Sequence, residues 1–212
     1  MPEPLVRDGH ARVGAAVLRA LGWRMRLAQP VPDRCVIVVY PHTSNWDFVI
    51  GLAAKWYLGL AFTFLAKDSL FQGPFGVLLR RWGGLPIDRR SPHGVIGGLA
   101  QRFAQEATCR LVITPEGTRS RRPAWKSGFY HLARAANVPV GLGFIDYGLK
   151  EAGIGGYLDL TGDVEADMAR IAAFYADKRG CRPELAGPVR LEHASQPGAE
   201  SKPDAESVSD TS

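Results

Sequence analysis

Residues 35–47 read Cys35-Val36-Ile37-Val38-Val39-Tyr40-Pro41-His42-Thr43-Ser44-Asn45-Trp46-Asp47. Six consecutive apolar residues, rich in β-branched side chains and closed by a proline, have the signature of a strand buried on both faces. The residues after it, from Trp46 to Leu60, suit a helix, with Asn45 or Ser44 as its cap. A buried strand feeding directly into a helix is the repeating step of an α/β sheet. The same stretch separates a histidine from a carboxylate by five positions, about 500° around an α-helix, so His42 and Asp47 cannot share a face of one regular helix. His42 therefore belongs to the turn and Asp47 to the first helical turn, where a carboxylate is favoured. Folded back, the imidazole would bond the carboxylate through one nitrogen and leave the other free to accept a proton from a hydroxyl. A satisfied loop histidine beside a first-turn charge is the plainer alternative.

Outward from this stretch the pattern repeats. Strands are expected over residues 35–40, 63–67, 84–88, 109–114, 139–145 and 156–161, and helices over 46–60, 69–81, 94–106, 125–136 and 163–178. Thr161-Gly162-Asp163 reads as a strand exit and helix cap. This alternation predicts an α/β fold, a single domain with a largely parallel central sheet flanked by helices. Sites in such sheets form beyond the carboxyl ends of strands. His42, Arg89 and Glu116 all fall there.

Three further strings stand in fixed order: Gly84-Leu85-Pro86-Ile87-Asp88-Arg89, then Pro115-Glu116-Gly117-Thr118-Arg119-Ser120, then Val138-Pro139-Val140. Together with His42-Thr43-Ser44-Asn45-Trp46-Asp47 they resemble the glycerolipid acyltransferase family, which includes the bacterial lysophosphatidic acid acyltransferases. The resemblance covers roughly residues 30–150. It implies that His42 is the general base that deprotonates an acceptor hydroxyl as it attacks an acyl thioester, with Asp47 orienting it. It further implies that Arg89, Glu116, Gly117, Thr118 and Arg119 bind the acceptor's glycerol and phosphate. Guanidinium groups hold phosphate oxygens bidentately, and glycine lets a backbone approach closely. Pro86 departs from the family pattern and suits an edge strand or a strand start.

The resemblance implies no metal and no cofactor, with acyl-CoA or an acyl carrier protein as co-substrate. The implied acceptor is a lysophospholipid, foremost 1-acylglycerol 3-phosphate. Glycerol 3-phosphate, a lyso-ornithine lipid, and a non-catalytic protein that binds anionic membranes are the alternatives.

Composition frames this reading. The chain has 212 residues, 46% hydrophobic, enough for one domain with a sizeable core. Its formal charge is +5. Residues 192–212 hold five acids and one lysine, leaving 25 bases against 16 acids on residues 1–191. That tail, poor in large apolar residues, is expected to be disordered. Arg80, Arg81, Arg89, Arg90, Arg119, Arg121, Arg122 and Lys126 gather near the expected site. A basic body suits an anionic membrane surface, and nothing in the chain carries a nucleic-acid-binding signature.

Three cysteines at wide spacing, Cys35, Cys109 and Cys181, read as buried reduced thiols. The start of the chain lacks the pattern of a secretory signal. The organisation expected is an N-terminal amphipathic segment over 1–30, an acyltransferase domain over 31–191 and a tail over 192–212. Along 11–28, Val13, Val17, Leu18, Leu21 and Met25 interleave with arginines, which fits either an interfacial helix or a core-packing one. Residues 48–66 carry one charge, Lys55, and approach membrane-spanning length, but Gly51 and Gly59 interrupt them. A buried or membrane-dipping helix followed by a strand is expected there. The location expected is the cytoplasmic face of the membrane, peripheral or monotopic.

Overall fold

The computed structural model describes residues 9–87 and 92–192, with the backbone alone for 92–96. Among the described residues seven strands form one sheet: β1 (Arg24–Leu27), β2 (Arg34–Tyr40), β3 (Thr63–Lys67), β4 (Gly84–Ile87), β5 (Cys109–Ile113), β6 (Val140–Asp146) and β7 (Glu151–Leu158). Their spatial order is β1-β7-β6-β2-β5-β3-β4. Every pairing is parallel except that of β6 with β7, a hairpin. Among the described residues six α-helices accompany them: α1 (Gly9–Ala20), α2 (Trp46–Leu58), α3 (Gly73–Arg81), α4 (Pro92–Gln105), α5 (Gly128–Ala136) and α6 (Val164–Tyr175).

The layers follow from the pleat of β2. Alternate residues of a strand face opposite sides, so Val36, Val38 and Tyr40 join one core while Cys35 and Ile37 join the other. The first core takes in Leu99 and Phe103 of α4, Phe129 and Leu132 of α5, Met168, Ile171 and Tyr175 of α6, and the fully buried Trp125. The second takes in Leu18 of α1 and Ile50, Ala53 and Tyr57 of α2. Each such fully buried aliphatic or aromatic side chain contributes roughly 1.5–3 kcal/mol. The α/β class and the largely parallel sheet are as the alternation of patterns predicts.

Several elements differ from expectation for local reasons. The helix expected over 11–28 stops at Ala20, with Gly22 at φ 73°, and the chain continues as β1. The Arg24-Met25-Arg26-Leu27 interleaving is a period-two strand pattern, with Met25 buried and both arginines exposed. The α1 helix lies so close to α2 that a Cβ on Gly14 would come 2.5 Å from the Ala53 carbonyl oxygen. The apolar run 48–66 divides because Gly59, at φ 63°, caps α2 in the left-handed conformation. No helix among the described residues is long and apolar enough to cross a membrane. The last strand begins at Glu151, not 156, since Gly153, Gly155 and Gly156 dilute its strand pattern. The 125–136 helix begins at Gly128, because Trp125 instead pairs with Leu191.

The β4 strand stands at the sheet edge, which accommodates Pro86. Of the three cysteines, Cys35 and Cys109 are buried but Cys181 is exposed, in the loop after α6, against the expectation of three buried thiols. Residues 193–212 of the expected tail lie outside the described residues, as do Asp88, Arg89 and Arg90.

Candidate active site

Adjacent strands bring the motifs together. The β2 strand is flanked by β5 and β6, so the loop after Tyr40 and the loop after Ile113 leave the same edge of the sheet side by side. Pro41 ends β2, and the next residues fold over the N-terminus of α2.

There Asp47 collects four donors. Its Oδ2 accepts from the backbone N–H of Thr43 at 2.8 Å and of Ser44 at 2.9 Å, and lies 3.1 Å from His42 Nδ1. Its Oδ1 accepts from the Tyr147 hydroxyl at 2.7 Å. Asn45 occupies the cap position of α2 without a side-chain hydrogen bond, while Ser44 Oγ accepts from the Trp46 N–H. The carboxylate thus folds back onto the loop that carries the histidine, as the spacing predicts. Burial by itself would raise the Asp47 pKa, but the hydrogen bonds from His42, Tyr147 and Ser44 outweigh it and hold the group below the ordinary carboxylate value. With Nδ1 directed at a carboxylate, the imidazole keeps its proton there and leaves Nε2 as the basic nitrogen. The His42 side chain is 17% exposed, enough to be reached.

Glu116 sits beneath this loop. One carboxylate oxygen accepts from the backbone N–H of His42 at 2.9 Å, the other from that of Gly187 at 3.1 Å, and the residue is 1% exposed. Burial raises its pKa, only partly offset by those two N–H groups. In this structure both Glu116 oxygens are turned inward onto backbone N–H groups, one of which is that of His42, while the sequence expectation places Glu116 at the acceptor. Gly117 turns with φ 65°, a conformation that favours glycine. Thr118 is half-buried and Arg119 is exposed. Arg89 lies outside the described residues.

Tyr147 and Gly187 escaped sequence reasoning. Neither belongs to a motif, and each reaches the site from far along the chain. The segment after α6 also ties in, with the Arg182 N–H donating to Thr43 Oγ1 at 3.1 Å and the Tyr40 hydroxyl donating to the Gly187 carbonyl at 2.8 Å.

A cavity of about 490 Å³ runs from the histidine along the inner side of α2. At the carboxyl end of the sheet it is lined by His42, Asn45, Asp47, Thr114, Lys67 and Arg119. Farther in, Phe48, Leu52, Ile37, Phe64 and Val112 make it apolar. At the amino end of β3 it meets Lys55, whose Nζ donates to the carbonyls of Phe62, at 2.8 Å, and of Trp82. Burial lowers the Lys55 pKa.

A family model for acyltransferases matches residues 23–141, more than half of the chain. The chain belongs to the acyltransferase family. That span contains the His42–Asp47 pair, Glu116 and Arg119. This acyltransferase is 32% identical over 111 residues to a 1-acyl-sn-glycerol-3-phosphate acyltransferase of Limnanthes douglasii. The match takes in 49% of this chain and spans 38% of the length of that curated relative. Among solved structures, the 1-acyl-sn-glycerophosphate (LPA) acyltransferase PlsC from Thermotoga maritima is similar at a TM-score of 0.51 and 17% identity, covering 80% of both chains. At that identity the likeness concerns the fold, and it agrees with the acyltransferase's layered sheet.

Proposed function

We propose that this protein transfers a fatty acyl group from a thioester, acyl-CoA or acyl carrier protein, to the free hydroxyl of a lysophospholipid, foremost 1-acylglycerol 3-phosphate. The observation that carries this reading is the His42 Nδ1 to Asp47 Oδ2 contact of 3.1 Å at the mouth of a deep apolar cavity. Proton transfer machinery at the rim of a space shaped for hydrocarbon suits acyl transfer to a hydroxyl. The name of the Limnanthes relative agrees with that acceptor.

In this mechanism His42 Nε2 takes the acceptor's hydroxyl proton while the oxygen attacks the thioester carbonyl. Asp47 stabilises the imidazolium that forms. The tetrahedral intermediate then expels the thiolate, which recovers the proton from His42. An ester and a free thiol result, with no acyl-enzyme. The thioester is already activated, so the step calls on no cofactor. Arg119, at the polar end of the cavity, pairs with the acceptor's phosphate, together with Arg89. The acyl chain lies along Phe48, Leu52 and Phe64. The acceptor is a membrane amphiphile and the thioester donor is carried in the cytoplasm, so the protein works at the cytoplasmic face of a membrane as a peripheral enzyme.

The test is incubation of purified protein with acyl-CoA or acyl carrier protein donors and a panel of lysolipids, following thiol release and product mass, with His42→Ala as the control. Ester formation on lysophosphatidic acid that the variant loses supports the reading. Transfer to a different lysolipid replaces the acceptor, and no transfer from any donor overturns the enzyme assignment.

A further inference from the structure

Helix α3 presents its apolar residues the wrong way round for a helix of a water-soluble surface. Its buried positions are Gly76 and Leu79, while Phe75, Val77 and Leu78 are 50%, 66% and 38% exposed. Leu70, in the short 3₁₀ turn before it, is 48% exposed. By contrast α5 buries Phe129, Tyr130 and Leu132. Large exposed apolar side chains gathered on one short element mark a contact surface rather than ordinary exposed hydrophobics.

Two features identify what covers it. The first is charge: residues 67–87 hold Lys67, Arg80 and Arg81 against the single acid Asp68, and both arginines lie in the last turn of α3. An apolar helix face bordered by bases is the composition of an element seated among anionic lipid headgroups. The second is continuity. Leu70 and Phe75 also line the cavity that begins at His42, so the exposed patch and the hydrocarbon-shaped space are one apolar surface.

We infer that α3 and the turn before it, through Leu70, Phe75, Val77 and Leu78, insert into the headgroup and upper acyl region of an anionic phospholipid leaflet, with Lys67 and Arg81 at its phosphates. This deepens the proposed function, on which it rests for the identity of the cavity's occupant. A lipid chain then passes from leaflet to cavity without crossing water.

The experiment is co-sedimentation of the full chain with vesicles of phosphatidylcholine alone and of phosphatidylcholine and phosphatidylglycerol in equal parts. Variants Val77→Asp and Val13→Asp are compared. Both positions are surface-exposed and lie outside the cavity lining, and Val13, on α1, serves as the control. The expected result is binding to the anionic vesicles, reduced about tenfold by Val77→Asp and left within about twofold by Val13→Asp. Acyl transfer to an acceptor dispersed in detergent should be unchanged in Val77→Asp. Absence of vesicle binding by the unaltered chain overturns the inference, as does loss through Val13→Asp and not Val77→Asp. A concentration-dependent dimer abolished by Val77→Asp would assign the face to a second copy and overturn it equally. Vesicle binding and transfer are read separately, so an inactive protein whose binding depends on Val77 would sink the proposed function and leave α3 as the docking element.

Discussion

Tyr147 and Asp47 lie 100 residues apart in the chain, and the Tyr147 hydroxyl donates to Asp47 Oδ1 at 2.7 Å. Trp23 packs edge-on against the same phenol ring, 4.9 Å between centroids. The β6–β7 hairpin thereby fixes the carboxylate oxygen that His42 does not use. Tyr147→Phe removes one of four donors and leaves the ring in place. The carboxylate then loses one of the contacts that hold it in place against His42, and the rate is expected to fall about tenfold, mainly in kcat, with the KM for the acceptor little changed. Circular dichroism of the same preparation separates this from simple unfolding, which would remove the folded spectrum as well. Asp47→Asn goes further and is expected to cost on the order of a hundredfold or more in kcat.

Glu116→Gln places an amide donor against one of two backbone N–H groups that now meet carboxylate oxygens. The expected loss is about 2–3 kcal/mol of stability together with a fall in kcat, because the His42 backbone loses its anchor. Chemical denaturation and steady-state kinetics on the same preparation measure both. A stable protein with only a raised KM for the acceptor would instead put Glu116 at the substrate.

Lys55 closes the cavity at the end remote from His42. Asp47 and Lys55 are separated by roughly 12 Å of helix rise, which an extended hydrocarbon chain of moderate length would fill. Lys55→Leu removes the cation and its hold on the Phe62 and Trp82 carbonyls. Product chain length is expected to shift upward when an equimolar mixture of acyl donors is supplied, read by mass spectrometry. An unchanged product distribution would place the end of the acyl chain elsewhere.

Asp167 of α6 is buried and accepts from the Thr161 and Gly162 backbone N–H groups, the Tyr130 hydroxyl and Arg170. Burial alone would raise its pKa, but these donors prevail and hold it well below the ordinary carboxylate value. The folded pKa lies below the unfolded one, so the stabilisation is full above the unfolded value and is lost as pH falls through the folded one. Asp47, also held low, acts in the same direction. Glu116 has the opposite sign. Its raised folded pKa means stability declines as pH rises from the unfolded value near 4.5 through the folded one. Unfolding free energy measured against pH is expected to drop steeply on the acid side, and Asp167→Asn to flatten that drop while costing about 2–4 kcal/mol at neutral pH.

Much of this was legible where strong local patterns coincide with elements. The run Cys35–Tyr40, the spacing of His42 and Asp47, and the Asp163 cap, whose carboxylate accepts from the Glu165 and Ala166 N–H groups, all read directly. What the sequence withheld is long-range or ambiguous in period. The Arg24-to-Leu27 interleaving looks helical in a window that begins at Ala11, until Gly22 breaks the helix. Tyr147 and Gly187 become part of the site only through tertiary contact, and no local spacing announces a phenol aimed at a carboxylate. Glu116 was found by its motif, yet its role depends on where its oxygens point, which only the packed loop reveals.

The two faces of the sheet carry unequal duties. Trp125, Phe103, Phe129 and Ile171 fill the side under α4, α5 and α6, whereas the side under α2 is partly hollow. Structural solidity and chemical adaptability are thus separated by the thickness of one sheet. Residues of the hollow side, such as Leu52 or Phe64, can change size with less harm to the fold than those opposite. A protein divided in this way can be re-bored for a different hydrocarbon without being refolded.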